Sequence, residues 1–274
     1  MKKAFLSLMI VSFIAVSCNT VKIEDPVRYG KLMVSLAGEP SVEADTRADD
    51  YTELTQQEAA GYNIYICTNE DGTGVVEGPF EYSELTDGIM EIQVGDYYVK
   101  AESHTEQEAD DQNVMRLSGV SGCVKVTESE EPAGATVNCD IANALVTVVF
   151  DESVYDDNGD CRFTDLKVSL NATDGSDKKA EVGAPASYDE KGIDNYFNPC
   201  KLTYSISGTY KATSNDISFE NNDHQLEAGT HIKLVVKVNL ENGQLKVSHN
   251  VITSITEAED SEQGFNPYMQ TTKM

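Results

Sequence analysis

Hydrophobic residues in this 274-residue chain recur at every second position, in short runs divided by turn residues, almost from end to end. In residues 31–37, Leu32, Val34 and Leu36 fall on one side of an extended backbone, which is the period of a half-buried strand. Tyr62, Ile64 and Ile66 repeat it, and the Asp71-Gly72 pair within residues 68–74 predicts a hairpin turn directly afterwards. After residues 80–85, segment 89–103 places Met90, Ile92 and Val94 on one face, breaks at Gly95, and resumes with Tyr97, Val99 and Ala101. Short strands are predicted at 124–127 and 135–139. Residues 145–150, apolar but for Thr147, then form a run suited to a strand covered on both faces. The second half continues with predicted strands at 163–170, 201–210 and 217–219.

Segment 232–251 carries the clearest local signal. Ile232, Leu234, Val236, Val238 and Leu240 alternate with Lys233, Val235, Lys237 and Asn239, and Asn242-Gly243 is the dipeptide of a two-residue turn. That turn sets Leu240 opposite Leu245, Val238 opposite Val247 and Val236 opposite His249, so turn chemistry and side-chain period agree on one register. His249 therefore reads as a histidine held within a sheet and not as a base or a metal ligand. Residues 52–60 predict at most one short helix, and the acidic stretch 104–113 reads as a loop. No helical period is sustained over a dozen residues, so the fold class is mainly β, with two β-sandwich domains in series. The junction is expected near Asp140, giving units 30–140 and 141–274, with residues 266–274 either a last edge strand or loose.

The start of the chain follows a different rule. Lys2 and Lys3 precede an apolar run over residues 4–16, and Ala15-Val16-Ser17-Cys18 closes it with small residues and a cysteine. The run falls short of the roughly 20 residues needed to span a bilayer. Residues 1–17 are therefore expected to be a lipoprotein signal peptide, with Cys18 the lipid-attachment residue, acylated by palmitate or a similar chain on sulfur and amine. Each buried methylene contributes ~0.8 kcal/mol, and more than one chain makes such an anchor stable. Polar residues 18–29 read as a tether. Because no aspartate follows Cys18, the outer membrane is the expected destination.

Composition narrows the partners. The formal charge is -27, and losing Lys2 and Lys3 makes it more negative, a surface that repels phosphate backbones and excludes nucleic acid as a partner. Beyond Cys18 five cysteines remain, Cys67, Cys123, Cys139, Cys161 and Cys200. An odd number in an exported chain leaves at least one free or paired between chains. Their spacing shows no CxxC, so thiolate metal binding has little support and no disulfide pairing can be assigned; several read as small buried hydrophobes.

Catalytic patterns are scarce. His104, His224 and His231 stand isolated, and neither HExxH nor GxSxG occurs. Ser118-Gly119-Val120-Ser121-Gly122 lacks the lysine and the strand-to-helix setting of a phosphate loop. Asp156-Asp157-Asn158-Gly159-Asp160 lacks the closing glutamate of a calcium loop and reads as a turn, as does 174–177. Carboxylate pairs carry no information in a chain this acidic, so no catalytic residue, metal or cofactor is nominated and the chain is not read as an enzyme. Tryptophan is absent, which weakens a sugar-stacking cleft, though 13 tyrosines are present.

The lipobox, the strand at 31–36, Thr46-Arg47-Ala48, the Gly95-x-Tyr97-x-Val99-x-Ala101 strand and Cys139-x-Ile141-Ala142-Asn143 together resemble a domain-of-unknown-function family (DUF4493-like) of Bacteroidia outer-membrane lipoproteins, similar to fimbrillin and fimbrium-anchor proteins. The resemblance implies transthyretin-like or immunoglobulin-like sandwiches. It also implies a structural or adhesive role at the cell surface as a fimbrial subunit, tip or anchor, with other fimbrial subunits or host and matrix ligands as partners. In polymerising fimbrillins a protease cutting after arginine removes the first strand, and a neighbour's strand fills the gap. By that analogy Arg47 is a candidate protease-processing site; by its polar surroundings it is a solvated linker residue. A second function class stays open, a glycan-binding surface lipoprotein for nutrient capture.

Overall fold

The computed structural model describes residues 27–38, 51–174, 176–241 and 244–254. Cys18, Arg47 and the Asn242-Gly243 turn lie outside them, as do residues 266–274. The fold is mainly β. Strands β1 (Tyr29–Gly38), β2 (Thr52–Glu53), β3 (Asn63–Cys67), β4 (Val75–Glu81), β5 (Ile89–Gln93), β6 (Gly95–Glu102), β7 (Leu117–Val120), β8 (Val124–Val126) and β9 (Ala133–Ile141) form one hydrogen-bonded system. Its order is β2, β1, β9, β7, β6, β3, β4, with β5 paired to β1 and β8 paired to β6. The break at Gly95 has a topological meaning: β5 pairs with β1, whereas β6 pairs with β3 and β7. The chain therefore changes partners across Val94.

The remaining strands are β10 (Ala144–Phe150), β11 (Phe163–Thr173), β12 (Lys179–Gly183), β13 (Ile193–Phe197), β14 (Cys200–Tyr210), β15 (Asn215–Leu226), β16 (His231–Glu241) and β17 (Gln244–Ser254). They make two four-stranded sheets, ordered β13, β10, β16, β17 and β12, β11, β14, β15. Both contribute to one buried cluster that includes Val146 and Val148 of β10, Leu170 of β11, Phe197 of β13, Leu202 and Ile206 of β14, and Leu234 of β16. This is a sandwich whose inner faces supply the core. A separate cluster gathers Leu32, Val34 and Leu36 with Ile64, Ile66, Ile92, Val99 and Val137 of the first sheet system.

Period-two reading of the strands is accurate where burial is one-sided. Along β14 the positions 200, 202, 204 and 206 are buried and their neighbours are not. Every residue of β10 is buried, as its nearly continuous apolar run predicts. The hairpin pairs Val236 with His249, Val238 with Val247 and Leu240 with Leu245, the register that the sequence specifies. The turn after β3 closes through Thr68 N–H to Gly74 O at 3.1 Å, with Gly72 at φ +75°. A short helix, α1 (Gln56–Ala59), falls within the helical segment expected at 52–60.

One expectation is corrected. Residues 104–113 are not a loop: they contain α2 (Glu106–Gln112), which begins at a reciprocal capping box between Thr105 and Glu108 and ends at Asn113 in the left-handed conformation. The helix buries only Ala109, so it has no apolar stripe to reveal it; the cap supplies two of its orphan bonds. Part of the glycine-rich stretch 118–122 is strand β7, and Gly119 is needed there: a Cβ would lie 1.9 Å from the Asn138 carbonyl oxygen of β9.

Cys67, Cys123, Cys139, Cys161 and Cys200 are free thiols, with Cys67, Cys139 and Cys200 buried. Burial pushes Cys139 up to about 12 and Cys200 up to about 11, so neither carries a reactive thiolate near neutral pH.

Candidate functional site

Strand β1, the first described strand, lies inside a sheet. On one side it runs parallel to β9, from Leu32 opposite Ala133 to Gly38 opposite Cys139. On the other it is covered piecewise. β5 pairs antiparallel from Tyr29 to Met33. The 86–89 turn then bonds Val34, whose N–H donates to Gly88 O at 2.9 Å and whose carbonyl accepts from Tyr82 Oη at 3.1 Å. Leu54 N–H donates to Leu36 O at 2.9 Å, and β2 pairs with Ala37 and Gly38. Between Leu32 and Gly38 β1 is thus bonded on both sides, which is what an interior strand requires.

Its side chains divide as its alternation demands. Leu32, Val34 and Leu36 are fully buried, while Tyr29, Lys31 and Met33 face outward. Two glycines permit the fit. A Cβ on Gly30 would sit 2.1 Å from Thr127 O, and one on Gly88 would sit 2.6 Å from Val34 O. Cavities of about 390 Å³ and 460 Å³ open at the two ends of the strand. The first is lined by Arg28, Gly95 and Glu128, and the second by Leu54, Tyr82 and Gly88.

The other charged constellation is buried beside β6. Glu102 is 4% exposed and Arg116 is 7% exposed. Arg116 Nη2 and Lys100 Nζ each lie 3.2 Å from Glu102 Oε2, and Tyr65 Oη donates to Glu102 Oε1 at 2.8 Å. Arg116 Nε also donates to His104 O at 3.2 Å. Burial and the Glu102 bond hold the Tyr65 hydroxyl in its neutral form. The cluster positions the segment after α2 and offers no open reacting centre.

Polar side chains stitch the first sheet system to the sandwich. Asn143, between β9 and β10, accepts from Arg116 N–H at 3.1 Å and donates to Val114 O at 2.9 Å. Asn113 donates to Asp194 O at 3.0 Å and accepts from Tyr196 N–H at 2.9 Å. Asn198 Nδ2 donates to Glu106 O at 3.0 Å. Asn143 stands in the Cys139-x-Ile141-Ala142-Asn143 motif, whereas Asn113 and Asn198 do not stand out in the sequence, since their partners lie tens of positions away.

Of the residues singled out from sequence, Cys18 and Arg47 are not among those described. Asp156 accepts from the N–H groups of Asn158 and Asp160 at 2.9 and 3.0 Å, with Gly159 at φ +83°, so that acidic stretch is a turn closed by its own aspartate. Among the described residues no group of three His, Cys, Asp or Glu side chains is placed to hold a metal ion, and no described helix is long and apolar enough to cross a membrane.

An interior first strand in a mainly β chain with two buried clusters defines a sheet-built scaffold class. The chain belongs to the family described as Domain of unknown function (DUF4493), which matches residues 29–262. No curated protein matches it. Among solved structures it is similar to a candidate cell adhesion protein of Bacteroides eggerthii, with 13% identity and TM-score 0.45, covering 84% of this chain and 97% of that one. The fimbrial anchor protein Mfa2 of Porphyromonas gingivalis shows 15% identity and TM-score 0.42, covering 82% and 97%. A fimbrial assembly protein of Parabacteroides distasonis shows 9% identity and TM-score 0.41, covering 83% and 99%.

Proposed function

We propose that the chain is a lipid-anchored protein of the outer-membrane surface with a structural or adhesive role, as a fimbrial anchor, tip or subunit, and that it keeps its first strand. The observation carrying this reading is β1. It is bonded on both edges and contributes three fully buried side chains, so the segment leading back to the acylated Cys18 is built into the core and not merely hung from it. Residues 19–28 then reach at most roughly 35 Å from lipid to fold, which holds the body close to the membrane. The division into units 30–140 and 141–274 belongs to the same reading; two separate buried clusters meeting through polar contacts support it.

The same geometry defines what loss of the strand would mean. A cut after Arg47 would detach β1 together with the anchor. It would open a slot between β9 on one side and β5 and β2 on the other, fillable by another extended segment with apolar residues at alternate positions. Mass spectrometry of the mature N-terminus from cells distinguishes the two, combined with protease shaving of intact cells. The expected result is acylated Cys18 as the sole N-terminus on a surface-accessible chain. Ala48 as the first residue would replace retention by strand exchange. An unacylated start, or a chain shielded from external protease, would overturn surface anchoring itself.

A further inference from the structure

Strand β13 stands at the end of its sheet, paired with β10 on one side only. The backbone groups it turns away from β10 are closed by two side chains. Asn113 Nδ2 donates to Asp194 O at 3.0 Å, and Asn113 Oδ1 accepts from Tyr196 N–H at 2.9 Å. Lys178 Nζ donates to Tyr196 O at 2.6 Å and to Asn113 Oδ1 at 3.0 Å. A carboxamide offers N–H and C=O side by side, so Asn113 meets this edge as the backbone of a neighbouring strand would. Its place is fixed by the end of α2, where Asn113 holds the left-handed conformation at φ +55°.

The strand itself shows why such a cover matters. An open sheet edge invites pairing with another chain, and edge strands are commonly guarded by charge or proline. β4 exposes Glu77, Pro79 and Glu81, and β12 exposes Lys179 and Glu181. β13 has neither proline nor lysine and exposes Ile193. Its one charged residue, Asp194, is engaged across the sheet face, accepting the Thr147 hydroxyl at 2.6 Å. We infer that Asn113 and Lys178 form an autoinhibitory plug on β13, covering an edge that otherwise pairs antiparallel with the same edge of a second copy of this chain. The strand is self-complementary for that pairing. A two-fold axis at Asn195 sets Asp194 opposite the copy's Tyr196, so the carbonyl and N–H that Asn113 now holds are exchanged between copies and no like charges face each other. Because the plug comes from α2, outside the sandwich, the edge stays closed only while α2 is seated.

The test is sedimentation equilibrium of the mature chain in mild detergent, with salt high enough to screen its formal charge of -27. Asn113→Gly keeps the left-handed helix end and removes the amide. Combined with Lys178→Met, it should strengthen self-association at least tenfold over the parent chain, with a dimer as the end point. Asn113→Asp, equal in size, sets an oxygen against Asp194 O and should give the same dimer more weakly. Adding Tyr196→Pro to the double variant withdraws the N–H from the opened edge, a place where an edge strand tolerates proline, and should restore the monomer. Hydrogen exchange reads the plug directly: the Tyr196 amide should exchange at least tenfold faster in Asn113→Gly, while the β10 amides keep their protection and report an intact fold. An unchanged Tyr196 rate would overturn the plug. Variants that expose this amide yet stay as monomeric as the parent would overturn the pairing, as would association that Tyr196→Pro leaves undiminished.

Discussion

Replacing Glu102 by leucine should destabilise the protein far more than any exposed ion pair can. The substitution removes the carboxylate that meets Arg116, Lys100 and Tyr65 at 3.2, 3.2 and 2.8 Å. Arg116, whose side chain is 9% exposed, would keep only the His104 carbonyl and the exposed Glu106 at 3.5 Å. Leaving one member of a buried pair uncompensated costs about 3–5 kcal/mol, and the orphaned Tyr65 hydroxyl falls within that figure because the terms are not additive. For a chain of this length, each kcal/mol moves the melting temperature by roughly 2–4 °C, so a drop of about 6–20 °C is expected. Urea unfolding followed by tyrosine fluorescence, with thermal scans, measures both. The double variant E102L/R116M should regain more than half of the loss, since apolar groups replacing a whole buried pair are tolerated. One molar salt should leave the difference largely unchanged. The comparator is Glu181→Ala, which breaks the solvent-exposed pair with Lys167 at 2.7 Å and should leave the midpoint unmoved. If E102L behaves like E181A, the cluster is not a buried charge network and the reasoning fails.

Three further outcomes can be checked. A thiol reagent applied to the native chain should label exposed Cys123 first and Cys161 next, with Cys67, Cys139 and Cys200 reacting only on unfolding; peptide mapping showing Cys139 labelled as fast as Cys123 would contradict the packing. Raising pH should weaken the fold, because burial lifts Cys139, Tyr62 and Tyr155 to about 12 and Cys200 to about 11, from ordinary values of 9 for thiols and 10 for phenols. The unfolded chain then binds fewer protons above pH 9, so stability is full below that and falls as pH rises toward 12; a urea midpoint flat or rising between pH 8 and 11 would refute it. Gly119→Ala should cost more than about 1 kcal/mol because its Cβ meets backbone of β9, whereas Gly134→Ala, with nothing within 4 Å, should be neutral or better in the same unfolding assay.

Sequence pattern revealed those parts of the fold where burial is one-sided and local. The 232–251 hairpin was fully specified, since its period and its turn dipeptide demand the same register, Val236 opposite His249. α2 was hidden because it has no apolar face, although Thr105 and Glu108 carried a readable cap signal three residues apart. Glu102 gave no hint of burial: it alternates with Val99 and Ala101 like any outward residue, and only the approach of Arg116 and Tyr65 encloses it. The junction asparagines were invisible for the same reason, as Asn113 and Asn198 find partners more than 80 residues away. What the interior of β1 would mean for function was legible only as alternation; its two bonded edges required the topology.

The parallel pairing of β1 with β9 also has a mechanical side. A pull on the residues before Tyr29 drags β1 toward its own beginning, while load on the sandwich draws β9 the opposite way, because Ile141 leads within three residues to β10. The rungs from Leu32–Ala133 to Gly38–Cys139 are then stressed side by side and must yield together instead of parting one at a time. Any tension between the two ends of this protein is therefore carried by a ladder loaded in shear, the orientation in which a short strand pair resists longest.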